Sequence, residues 1–172
     1  MASLNKSNFF KSLISYLPLF FLFFSVLNEF DFNYLKIDNF SFNFVYILVF
    51  YWTLRGSEDL GYFSVFIAGI INDVVIGLPI GISSFCYLLI CVFTSYIRQI
   101  TLSPKFINDW FTFIVAILLV NSIQVLILDL IFLIEVDYMR YLINSGFTFI
   151  FYPIFYLFFN LINDKISLKP ND

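Results

Sequence analysis

Six apolar runs, separated by short groups of polar or helix-stopping residues, set the pattern of this chain; they fall at about 12–27, 40–54, 60–76, 82–97, 109–134 and 141–162. Asn28, Glu29 and Asp31 close the first run, and Arg55-Gly56-Ser57-Glu58-Asp59 closes the second. Gly77 and Pro79 stop the third, one lacking a Cβ and the other a backbone N–H. Arg98 bounds the fourth. The pattern predicts an all-α, polytopic integral membrane protein with six transmembrane helices in one domain, 1–172. At 1.5 Å per residue the second and fourth runs reach only about 22–25 Å across a hydrocarbon core about 30 Å thick. Arg55 and Arg98 would then snorkel, or the bilayer would thin. A five-span count, with the second run re-entrant or merged, is the alternative.

Polar residues inside the runs are the candidates for anything beyond spanning. Asp73 stands in the third run, in Gly69-Ile-Ile-Asn72-Asp73-Val-Val-Ile-Gly77-Leu-Pro79-Ile-Gly81. An ionisable group at bilayer depth costs about 3 kcal/mol on insertion scales, so it must face protein or a wet cavity. Gly69 and Gly77, four residues to either side, share its helix face and would admit a second backbone. A polar, tightly packed seam at the centre of the bundle is the expectation. Asp73 serves there either as a proton or substrate site or as a hydrogen-bonding structural group. The structural role is favoured, because no Lys, Arg or His lies inside a run to pair with it.

In the fifth run Asn121 and Gln124, three apart, share a face and would point a polar stripe toward Asn72 and Asp73. Asp129 either joins them or snorkels to headgroups. Asn144, Ser145 and Gly146 open the sixth run, and Pro153 within it should kink the helix and free a carbonyl. The turn Gly77-Leu-Pro79-Ile-Gly81, followed by Ser83-Ser84, reads as a tight helical hairpin with a hydroxyl N-cap on the fourth helix. Its small, apolar tip is either buried or a docking surface.

Charge fixes an orientation. With an even span count, one side carries Lys6, Lys11, Arg55, Arg98, Lys105, Lys165 and Lys169, and the other only Lys36 and Arg140 against Glu29, Asp31, Asp38, Glu135 and Asp137. The positive-inside rule then places both termini in the cytoplasm. Lys6 and Lys11 precede an apolar stretch with no small-residue cleavage site, so the first run is expected to be retained.

Composition agrees. The chain is 172 residues long, 61% hydrophobic and 12% charged, more apolar surface than a soluble domain of that size could bury. Its 26 Phe residues suit lipid-facing positions and specify no cofactor cage. A net charge of -3 and the lack of a basic run exclude nucleic acid as a partner. The absence of His removes the commonest general base and zinc ligand. Cys86 and Cys91, five apart, are expected as reduced packing residues. No nucleophile–base pair, metal cluster or phosphate loop is visible, so no catalytic, cofactor or metal residues are assigned and an enzyme is not expected.

A chain of this size and span pattern, with G-x-x-x-D-x-x-x-G-x-x-x-G at Gly69, Asp73, Gly77 and Gly81, Tyr51-Trp52 before the Arg55 loop and Pro153 in the last run, resembles the MreD family of bacterial rod-shape-determining membrane proteins. The resemblance covers about 45–163. It implies a non-enzymatic component of the cell-elongation complex in the cytoplasmic (inner) membrane. Such a component would bind an MreC-like bitopic protein and help link MreB filaments to peptidoglycan synthesis. The synthetic partners implied are a SEDS-type glycosyltransferase and a penicillin-binding transpeptidase. The resemblance carries over no catalytic residues. The family is also similar to the S-components of energy-coupling-factor vitamin transporters, which supplies an alternative. That reading needs an outward-opening cavity lined by groups such as Asn72, Asp73 and Gln124. A first run bulky beyond Ser15 counts against it. A lipid flippase is weaker still, for want of a cation within the runs.

Overall fold

The computed structural model describes residues 16–27, 41–56, 60–101 and 105–167, with side chains as far as 163. Among these residues are six helices and no strands: α1 (Leu17–Leu27), α2 (Phe44–Arg55), α3 (Tyr62–Ile76), α4 (Ile82–Ile100), α5 (Phe106–Leu130) and α6 (Tyr138–Ser167). Three of them, α4, α5 and α6, are long and apolar enough to cross a membrane. The others are apolar helices of 11, 12 and 15 residues. Residues 12–15 and 40 of the expected spans, the loop 28–39 with its charges, and Lys6, Lys11, Glu58, Asp59 and Lys169 lie outside the described residues, as does the side chain of Lys165.

The element that organises the bundle is α2, and neither the seam at Asp73 nor any long span takes that place. Every residue from Val45 to Trp52 is buried, right around the helix. A helix apolar on all faces is a core helix. Here α2 packs against α1, α4 and α6. Asn43 caps its start by accepting the Tyr46 N–H at 3.1 Å. Gly56 ends it, donating back to the carbonyls of Trp52 and Thr53. Aromatic rings fill the space around it. Phe50 meets Phe113 of α5 at 4.9 Å and Tyr152 of α6 at 5.8 Å, and Tyr46 meets Tyr87 of α4 at 5.8 Å. Cys86 and Cys91 are free thiols buried in the same core.

Several helix bounds differ from the sequence expectation. The last helix begins at Tyr138, ahead of Asn144-Ser145-Gly146, because Asp137 accepts the N–H groups of Met139 and Arg140 at 3.1 and 3.2 Å. The fourth helix runs past Arg98 to Ile100. The fifth spans Phe106–Leu130, short of 134, and the chain then turns through Leu133 at φ 53.

Pro153 lies within α6, as expected. A proline cannot donate to the carbonyl four residues back. That carbonyl, of Phe149, accepts instead from the indole N–H of Trp110 in α5 at 3.0 Å, and the two rings stack at 4.9 Å. The freed acceptor thus becomes a tie between α5 and α6.

Candidate functional site

The α3–α4 hairpin brings most of the sequence candidates together. α3 ends at Ile76, and Gly77 follows in the left-handed region at φ 77, where a residue with a Cβ is strained. Gly77 and Leu78 both donate to the Asp73 carbonyl at 2.9 Å, closing the helix. Chain reversal through Pro79 and Gly81, itself at φ 104, starts α4 at Ile82.

The Asp73 side chain, fully buried, then caps the next helix. One carboxylate oxygen accepts the Gly81 N–H at 2.7 Å and the other accepts the Ser83 N–H at 2.9 Å. Two of the N–H groups left unpaired at a helix start are satisfied by one side chain, where the helix dipole also favours a negative group. The expected hydroxyl cap is therefore replaced: Ser83 and Ser84 lie inside α4, and Asp73 does the capping. Asp73 is also not at the bundle centre. It stands one turn from the end of α3, so its main chain finishes one helix while its side chain starts the next.

Neighbouring residues extend this clasp. The Asn72 amide donates to the Ser83 hydroxyl at 2.9 Å, and the Ser84 hydroxyl donates to the Phe66 carbonyl at 2.8 Å. Gly69 lies directly against the Ser84 backbone, so any Cβ there would collide with Ser84 Cα and N. Of the glycines, Gly69 is the one that lies against another backbone. Gly77 and Gly81 face open space, and both are needed for backbone conformation rather than for packing.

The polar residues of α5 do not face this clasp. Gln124 accepts from the Tyr46 hydroxyl of α2 at 3.1 Å, and Asn121 donates to the Ser145 hydroxyl of α6 at 2.7 Å. Asp129 stands apart, half-buried, 3.4 Å from the Tyr138 hydroxyl. The expected stripe fails because α5 packs on α4 and α6, whereas α3 packs on α4 and α1. A cavity of about 400 Å³ opens at the hairpin end, lined by Ser25, Asn43, Asn72, Tyr87, Arg140 and Asn144 among others. Asn72 reaches it, whereas Asp73 and Gln124 do not. Trp110 and Asp137 were not readable as contact residues, and Ser84 reads as a cap rather than a tie to α3, because their partners lie on other helices or at a boundary that the apolar pattern does not mark.

In this arrangement Asn72, Asp73, Ser84, Asn121 and Gln124 each bond to a neighbouring helix or its first turn. The model of one family, rod shape-determining protein MreD, matches residues 10–162. The chain belongs to the MreD family. Membership makes it a rod-shape protein of a membrane protein family, and its apolar helices fit a transmembrane protein. No curated protein and no solved structure matches it. MreD is a shape-determining family.

Proposed function

We propose that this MreD chain is a non-enzymatic assembly component of the cell-elongation complex. It would sit in the bacterial cytoplasmic membrane with six spans and both termini inside. Its contacts would be to an MreC-like bitopic protein, and through it to MreB filaments, a SEDS-type glycosyltransferase and a penicillin-binding transpeptidase. The family match across 10–162 carries the reading. The described residues support it, since from α2 onward the helices are joined by connections of a few residues and offer helix faces and rims for recognition. α2 spans about 18 Å by length, yet it is surrounded by protein rather than lipid and carries Asn43 at one end and Arg55 at the other. A short helix shielded in this way can still complete a six-span count.

The vitamin-transporter reading finds less support. Of the three side chains it requires around an open cavity, only Asn72 lines one. Affinity purification of the tagged chain from detergent-solubilised membranes of a rod-shaped bacterium tests the proposal. The bitopic protein should co-purify, and depletion of the chain should round the cells. Recovery of transport ATPase subunits instead, with rod shape intact on depletion, would overturn it.

A further inference from the structure

At the end of the bundle away from the hairpin, the buried polar atoms without a hydrogen-bond partner among the described residues include Arg55 Nε of α2, Asp109 Oδ2 of α5 and Tyr152 OH of α6. Their side chains form one neighbourhood. Asp109 and Phe113 lie one turn apart on α5, and Phe113 stacks on Tyr152 at 4.4 Å. Tyr152 packs on Tyr156 at 5.9 Å, and Tyr156 accepts from the Arg55 guanidinium at 2.7 Å. Arg55 and Asp109 act on each other electrostatically, and both act on Tyr152. Yet they are not in direct contact: the one ion pair within 4.0 Å among the described residues is Arg140–Asp137.

Unpaired polar atoms this deeply buried are costly, and native proteins satisfy them. The chemistry of the three atoms selects the occupant. A cation would face the guanidinium and an anion would face the carboxylate, so neither is favoured. A neutral molecule that both donates and accepts matches all three atoms: it can donate to Asp109 and accept from Arg55 and Tyr152. We infer that Arg55, Asp109 and Tyr152 form a binding site for ordered water, which bridges the charge pair and locks the ends of α2, α5 and α6 together. Groups of opposite charge held beyond direct contact are the usual setting for such a bridge.

Radiolytic hydroxyl footprinting of the purified full-length chain tests this directly, because bound water generates the label beside itself. Tyr152 is 0% exposed, while Tyr46 at 2% has its hydroxyl committed to Gln124. The site requires Tyr152 to be modified several-fold more than Tyr46, with slow exchange against ¹⁸O water. Tyr152 as inert as Tyr46 would overturn the inference. A thermal-midpoint cycle of Asp109→Asn and Tyr152→Phe gives a second readout. The shift of the double variant should fall short of the sum of the single shifts, since both act on one network. Additive shifts would equally sink the proposal.

Discussion

A single aspartate holds both ends of a helical turn in this protein, and its energetics can be checked. Asp73→Ala leaves the Gly81 and Ser83 N–H groups without their acceptor, the latter in a buried setting. Loss of the cap with a buried donor left over should cost about 2–3 kcal/mol. A lower thermal midpoint in detergent is expected, with Asp73→Asn falling between Ala and wild type because one acceptor survives. An unchanged midpoint for Asp73→Ala would refute the clasp. The glycines give a second test. On helix propensity alone Gly69→Ala should stabilise by about 1 kcal/mol. The Ser84 backbone occupies the space of the new Cβ, so destabilisation is expected instead. Gly77→Ala meets nothing and should cost only the left-handed backbone penalty, about 1 kcal/mol. Gly69→Ala should therefore be the more damaging of the two in the same melt. The spacing of Gly69, Asp73 and Gly77 was legible in the sequence, but the three different tasks were not. Which glycine meets a backbone and which one bends the chain depends on where α3 stops, and a repeat of four gives only a shared face.

The helices were legible as apolar runs, and their depth in the bundle was not. Lipid is as apolar as a protein core, so an all-apolar stretch such as Val45–Trp52 reads the same whether it faces lipid or, as here, is sealed on every side. Boundaries slipped where a polar residue serves as a cap, as Asp137 does for α6. Pro153 shows the reverse case, a local rule whose consequence lies on another helix. Trp110→Phe removes the donor to the Phe149 carbonyl while keeping an aromatic ring beside Phe149, and should cost about 1 kcal/mol. Pro153→Ala restores an N–H that can reach that carbonyl within α6. In the Pro153→Ala background, Trp110→Phe should then have a much smaller effect. Equal losses in both backgrounds, by thermal denaturation of the full chain, would show that the indole is not serving the freed acceptor.

Across the whole molecule, span parity decides how the bundle sits in its membrane. With six spans, the α3–α4 hairpin and the turn after α5 face the non-cytoplasmic side, while the α4–α5 connection faces inside. With a re-entrant α2 every one of these assignments inverts, because α3 then starts from the opposite face. Arg98 and Lys105 would then lie outside, against the positive-inside rule. Ile80 and Leu133 are 72% and 83% exposed, so Ile80→Cys and Leu133→Cys place reporters on the two turns at little structural cost. Gln99 and Lys105 are exposed at the other end and accept the same change. Both native thiols, Cys86 and Cys91, are 1% exposed and should stay silent while the protein is folded. A membrane-impermeant maleimide added to intact cells stripped of their outer membrane should label Ile80→Cys and Leu133→Cys. Gln99→Cys and Lys105→Cys should react only after lysis. The opposite pattern would establish the five-span arrangement, and α2 would then be a re-entrant helix buried in the protein rather than a span.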